Sequence, residues 1–221
     1  MAVIVGFISQ KGGVGKSTLA RALAAVVAHA GMRVRIADLD PKQSTIVEWE
    51  KRRGVSGLSP AIEVASYPNV RAALASAQPD ELLILDAPAG GGAIARAIAE
   101  HAELVVQPTS GALDDLRPAV LLFHGLARAG IPHERLVVAL CRTHSNDEED
   151  LAREYFEKAG YAVLAGSLPE KGGYREAHNR GHAATESRQE KLRERAEALM
   201  EALLSRITGE LEAHDLRRST T

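Results

Sequence analysis

Following an apolar run and opening a helical pattern, the chain carries Gln10-Lys11-Gly12-Gly13-Val14-Gly15-Lys16-Ser17-Thr18. These residue types at this spacing suit a polyphosphate. Phosphate oxygens need many N–H donors at close range, and Gly12, Gly13 and Gly15 let the backbone turn and approach without a Cβ in the way. A helix beginning near Lys16 aims free N–H groups and a positive dipole end at the same point. Lys16 can reach β- and γ-phosphates, the Ser17 hydroxyl can ligate Mg2+, and Thr18 is placed near an α-phosphate. The competing reading is a glycine-rich turn with an exposed lysine; strand, loop, Lys-Ser pair and helix together argue against it. Two further segments end in carboxylates. Asp38 and Asp40 stand two residues apart at the close of the run from Arg33, and Asp86 closes Leu82-Leu83-Ile84-Leu85. In a parallel sheet the C-terminal strand ends line the ligand crevice, so these acids and the loop are expected on one edge.

The elements needed to hold that edge are legible as alternating patterns. Val3–Ser9, Arg33–Asp38, Ile62–Ser66, Leu82–Asp86, Leu104–Pro108, Leu136–Cys141 and Ala162–Ala165 read as strands. Several are continuously apolar, as expected for strands covered on both faces. Helical stretches fall near Ser17–Ala30, Thr45–Arg53, Val70–Ala77, Ala93–Ala99, Leu113–Ala129 and Glu148–Lys158, with Gly31, Gly130 and Gly160 where C-cap glycines belong. The expected fold class is α/β: a mostly parallel twisted sheet with helices on both faces. A long terminal helix is expected over about 185–211, with Leu192, Leu199, Leu203, Ile207 and Leu211 on one face. The whole reads as a single domain over 1–213 and a flexible tail over 214–221. The chain has 221 residues, 45% of them hydrophobic, enough for one substantial core.

The loop departs from the general G-x-x-x-x-G-K-S/T pattern, since Gln10 stands at the first glycine, and matches K-G-G-x-G-K-S/T with the extra Lys11. The chain resembles the deviant Walker-A P-loop ATPases of the ParA/MinD family, most nearly the ParA partition ATPases. The resemblance implies ATP and Mg2+ as cofactors and an ATP-dependent homodimer in which Lys11 reaches the partner's phosphates. It makes Lys11, Lys16 and Asp40 the catalytic set, Asp40 orienting the attacking water. It makes Ser17, Asp38 and Asp86 the metal set, Asp38 supporting the water shell and Asp86 closing a Walker B strand. The nucleotide would be held by Lys11, Gly12, Gly13, Val14, Gly15, Lys16, Ser17 and Thr18. Ala87-Pro88-Ala89-Gly90-Gly91-Gly92 is similar to a switch II segment, and Asp38-Leu39-Asp40-Pro41 to switch I. Lys42 stands where the family commonly has glutamine, with Gln43 displaced by one. Cys141 stands where many members carry an adenine-reading asparagine, which leaves Arg142 and backbone groups at Leu168 and Pro169 for the base. The resemblance extends to about Glu186 and is strongest in the first half.

Composition trims the relatives. One cysteine, Cys141, cannot hold a shared iron–sulfur cluster or a disulfide framework, and no tyrosine follows Tyr174 as a kinase tail would need. The terminal helix carries Glu190, Glu194, Glu197, Glu201, Glu210 and Glu212, which opposes an anionic membrane surface. A net charge of -2 excludes a generally basic nucleic-acid binder, but Arg188, Lys191 and Arg195 fall at helical spacing and suit nonspecific DNA. Solvated Glu–Arg pairs are the competing reading of that face. His178 and His182 have i, i+4 spacing but lack acidic company for a metal. The expected activity is ATP hydrolysis to ADP and phosphate as a dimerisation switch for DNA partition or cargo positioning, stimulated by a ParB-like or other adaptor protein, in the cytoplasm, with nucleoid association following only if the chain binds DNA. The alternatives are a MinD-like membrane-positioning ATPase and a dethiobiotin synthetase-like enzyme acting on a small acid.

Overall fold

The computed structural model describes residues 2–90 and 92–219. Eight strands form one sheet: β1 Val3–Phe7, β2 Arg33–Asp38, β3 Glu63–Ser66, β4 Glu81–Asp86, β5 Leu104–Thr109, β6 Leu136–Thr143, β7 Ala162–Val163 and β8 Leu168–Pro169. The order is β3-β2-β4-β1-β5-β6-β7, with β8 also on β6, and each pairing is parallel. The helices are α1 Lys16–His29, α2 Thr45–Val55, α3 Val70–Ala75, α4 Gly92–Ala99, α5 Leu113–Arg128, α6 Asn146–Lys158, α7 Gly172–Asn179 and α8 Glu190–Ser219.

The apolar runs behave as double-sided strands. In β4, Leu82 and Ile84 face one core while Leu83 and Leu85 face another; in β5, Leu104 and Val106 are separated from Val105 in the same way. One core joins the sheet to α1 and α8 through residues such as Leu19, Leu23, Leu199 and Leu203. The other joins it to α4, α5 and α6 through Ile98, Phe123 and Phe156. Gly6 of β1 is required by this layering: a Cβ there would collide with the Ile98 side chain of α4.

The register decides where the acids stand. Asp38 pairs with Asp86 across β2 and β4, and Phe7 pairs with Asp86 across β1 and β4. Both carboxylates therefore leave the sheet at one level, beside the loop that follows β1.

The C-terminal third differs from the expected pattern. β8 and α7 lie outside the expected elements. The terminal helix begins at Glu190 rather than about 185, after a 3₁₀ turn at Ala184–Glu186, and continues to Ser219 rather than stopping near 211. Glu186 is engaged elsewhere, accepting from Arg53 and from the Ala183 amide, and so does not join the helix. Residues 214–219, expected in a tail, are helical, and Thr220 and Thr221 lie outside the described residues. None of the described helices is long and apolar enough to cross a membrane.

Candidate functional site

The phosphate loop is shaped by two left-handed glycines, Gly13 at φ 75° and Gly15 at φ 116°. Gly15 caps α1, and a Cβ on it would lie 3.1 Å from both Cβ and Sγ of Cys141. Cys141 thus backs the loop, and burial pushes its thiol up to about 12, leaving it inert at neutral pH. Lys16 Nζ donates to Ser9 Oγ at 2.9 Å, and Ser9 Oγ donates to the Lys11 carbonyl at 2.6 Å. Burial lowers the Lys16 ammonium below its ordinary value, while Asp86 and Asp40 pull it back up.

A cleft of about 480 Å³ lies over this loop. It is lined by Gly12, Gly13, Gly15, Lys16, Ser17 and Thr18 from the loop side, by Asp38, Asp40 and Asp86 from the strand ends, and by Arg142, Leu168 and Pro169 from β6 and β8. Two loop residues expected at the nucleotide do not line the cleft. Val14 is buried, and Lys11 extends to Asp115 of α5, Nζ to Oδ1 2.7 Å. In the segment after β2, Gln43 lines the cleft and Lys42 does not.

The Ser17 hydroxyl donates to Asp86 Oδ2 at 2.7 Å. The other oxygen, Asp86 Oδ1, is buried and has no hydrogen-bond partner among the described residues. Asp38 is also buried, accepting from the amides of Asp40 (2.9 Å) and Ile46 (3.3 Å). Burial raises Asp86 to about 7 against the pull of Ser17 and Lys16, with Asp38 adding to the rise; burial likewise raises Asp38. A hydroxyl, two buried carboxylates and one orphaned oxygen make a hard oxygen donor set that suits Mg2+, a cation that takes one or two carboxylates and keeps water and phosphate for its other positions. No group of three or more His, Cys, Asp or Glu side chains among the described residues forms a site for an all-protein metal.

Asp40 caps the switch turn, its Oδ1 accepting from the Gln43 amide at 3.2 Å. Arg142, at φ 58°, clips the site together: Nε donates to Glu170 at 2.5 Å and Nη1 to the Gly13 carbonyl at 3.0 Å. Several contributors escaped the sequence reading. Ser9 and Asp115 anchor the two lysines, and Arg21, one helical turn beyond Ser17, donates to the Thr45 carbonyl at 2.8 Å. Only the spacing of Arg21 from Ser17 gave a usable signal.

The proposed basic face divides. Arg188 precedes α8, so Lys191 and Arg195 alone share helical spacing, and Arg195 lies 3.6 Å from Glu149. His182 falls beyond the end of α7, so His178 and His182 are not on one helix.

A glycine loop between β1 and α1, two acids at aligned strand ends and a hydroxyl on the second of them define a P-loop nucleotide-binding protein. Residues 5–184 match the CobQ/CobB/MinD/ParA nucleotide binding domain, and the chain belongs to that family. It is 33% identical over 130 residues to the "Maintenance of carboxysome distribution protein A" of Gloeobacter kilaueensis, a match covering 58% of this chain and 57% of that protein. The chain thus spans little more than half the length of this relative. The fold is similar to the septum site-determining protein MinD of Pyrococcus horikoshii complexed with Mg-ADP (TM-score 0.73, 16% identity, 92% of this chain and 96% of that one). It is also similar to a putative plasmid partition protein of Borrelia burgdorferi bound to AMPPNP (TM-score 0.71, 16% identity, 93% and 99%). A third similar structure is an ATP complex of McdA from Cyanothece (TM-score 0.66, 19% identity, 91% and 96%).

Proposed function

We propose that this chain is a Mg2+-dependent ATPase whose nucleotide state switches it between monomer and homodimer, and that the switch positions a cargo. The observation that carries the reading is the divided use of the two loop lysines: Lys16 faces the cleft, whereas Lys11 is turned outward to Asp115 and remains 43% exposed. One lysine serves the chain's own phosphates, and the other is on hand for those of a second copy.

Lys16, the loop amides and the N-terminus of α1 neutralise charge on the β- and γ-phosphates, while Asp40 holds the attacking water in line. Ser17, Asp38 and Asp86 would hold Mg2+, which when bound supplies further positive charge to the phosphate oxygens. Arg142, Leu168 and Pro169 take the base. Relatives named for carboxysome distribution, septum-site determination and plasmid partition support positioning as the output. For the anchoring surface we favour nonspecific DNA over a membrane, with Arg188, Lys191 and Arg195 as contacts and an adaptor protein as the stimulus. The setting for this cycle is the cytoplasm, over the nucleoid.

Phosphate release and light-scattering mass, measured with ATP and a slowly hydrolysed analogue, test the reading. Lys16→Ala should lose tight nucleotide binding. Asp40→Ala should bind ATP and accumulate as dimer. Wild-type hydrolysis by Asp40→Ala would remove Asp40 from the chemistry, and a nucleotide-indifferent monomer would end the switch reading.

A further inference from the structure

The end of β6 reaches the phosphate loop although β5 stands between β6 and β1 in the sheet. It meets the loop at two glycines: Cys141 backs Gly15, and Arg142 Nη1 donates to the Gly13 carbonyl at 3.0 Å. Arg142 does so from a backbone at φ 58°, a left-handed conformation uncommon outside glycine. Its side chain is half exposed, so burial does not force this pose. A second bond holds it, Nε donating to Glu170 Oε2 at 2.5 Å. Glu170 is anchored in turn. Its amide donates to the Thr143 carbonyl at 2.9 Å, and its Oε1 lies 3.5 Å from Arg175. A strained backbone and a charge-assisted bond thus converge on one carbonyl of the loop.

The loop has a physical need for that bond. The glycines that let it turn also leave its peptides free to rotate. A carbonyl rotated inwards would set an oxygen against phosphate oxygens where an N–H is wanted. Every second carbonyl from Ser9 to Gly15 is taken. Ser9 accepts from the Gly90 amide at 3.1 Å, Lys11 from the Ser9 hydroxyl at 2.6 Å, and Gly15 from the Leu19 amide at 2.9 Å. At Gly13, itself left-handed at φ 75°, the donor is Arg142.

We propose that Arg142, held by Glu170, is a positioning residue for the phosphate loop: by fixing the Gly13 peptide it keeps the loop arranged for a polyphosphate, and it sets phosphate affinity whatever base is attached. This rests on the nucleotide reading above, in which Arg142 serves the base; the bond to Gly13 gives it an effect on the phosphates as well. Glu170 directly follows Leu168 and Pro169, so the segment assigned to the base and the loop assigned to the phosphates share one guanidinium.

Calorimetric titration of the full chain in Mg2+ with ATP and with inorganic tripolyphosphate, which has no base, tests this. Arg142→Ala should weaken both ligands by the same factor, about 10- to 100-fold, the range for one hydrogen bond to a charged group. Glu170→Ala should weaken both by a smaller factor. Added to Arg142→Ala it should change nothing further, because Glu170 acts through the guanidinium. Arg142→Lys, which keeps the charge but cannot span both partners, should recover only part of the loss. If Arg142→Ala does not fold, Arg142→Lys and Glu170→Ala carry the same comparison. Weaker ATP binding with tripolyphosphate unchanged would assign Arg142 to the base alone and overturn the proposal. So would tighter binding by Glu170→Ala, a Glu170→Ala effect that adds in full to that of Arg142→Ala, or a wild type that holds ATP but not tripolyphosphate. Wild type that binds neither would sink the nucleotide reading itself, a separate outcome.

Discussion

Replacing Asp86 by asparagine should stabilise the metal-free protein, and should do so in a pH-dependent way. Asp86 is buried between Ser17 and Asp38, and its carboxyl is raised from 3.8 to about 7. The folded state therefore holds a proton that the unfolded chain gives up near pH 4. Its stabilising effect is complete below that value, declines as pH rises, and is gone above about 7. Three pH units at about 1.4 kcal/mol each give about 4 kcal/mol as the most that wild type can lose through this group. The carboxamide of the Asp86→Asn variant would be neutral throughout and could still accept from the Ser17 hydroxyl. The gap between variant and wild type should thus be small at pH 4.5, widen through pH 6, and level off above 7. Urea unfolding in excess chelator at stepped pH measures it. Comparing the two proteins at each pH cancels titration elsewhere in the chain. Adding Mg2+ with ATP should restore wild type at pH 8 and do little for the variant. A pH-independent gap, or a variant less stable than wild type at pH 8, would refute the view of Asp86 as a carboxylate held at a cost for a cation.

Lys11→Ala should keep ATP binding by the single chain but lose ATP-dependent dimerisation, read by light scattering with a slow analogue; an undiminished dimer would take Lys11 out of the interface. Arg53→Ala should cost about 3–5 kcal/mol in urea unfolding, because Arg53 is 2% exposed and pairs through both Nη atoms with Glu186 at 2.7 and 2.8 Å. A cost below about 1 kcal/mol, within the range of an exposed ion pair, would contradict its burial. Combined replacement of Arg188, Lys191 and Arg195 by glutamate should abolish nucleotide-dependent binding to unrelated DNA duplexes and leave dimerisation intact. Salt-independent binding by wild type, or none at low salt, would dispose of the phosphate-contact reading.

The strand ends were readable because each does two things at once. A strand such as Leu82–Asp86 must be apolar on both faces and must finish in a charge at the crevice, so its composition and its last residue point to one place. Arg33–Asp38 finishes in its acid in the same way, although only Val34 and Ile36 make an apolar face and Arg35 on the other is paired with Glu63 and Glu81. Legibility fell where structure comes from tertiary closure. β8 has two residues, and α7 opens on Gly172-Gly173, so neither carries enough periodicity to be seen. The late start of α8 depends on Glu186 being taken by Arg53, 133 positions away. Lys11 meeting Asp115, and His178 meeting the cleft, have the same origin: the partners are distant in sequence and no local spacing announces them. Arg188 was misplaced for a simpler reason, since helical spacing was extended across a segment that is not helix.

The anchoring of α2 leaves little chain between fixed points in the segment that resembles switch I. Trp49 Nε1 donates to the His182 carbonyl, Ser56 Oγ to the Arg180 carbonyl, and Arg53 to Glu186, so the helix is riveted along its length to the segment after α7. At the near end, Leu39 N is tied to the Asp86 carbonyl and Ile46 N to Asp38. What remains between the two fixed ends is Asp40–Ser44, five residues with a left-handed Ser44 at φ 47° as the last joint before α2. Under the proposed ATPase cycle, a rearrangement driven by the γ-phosphate would fall on this short segment. In the proposed switch, Asp40 and Gln43 are the residues this short segment would re-aim, with α2 held behind them by its bonds to residues 180–186.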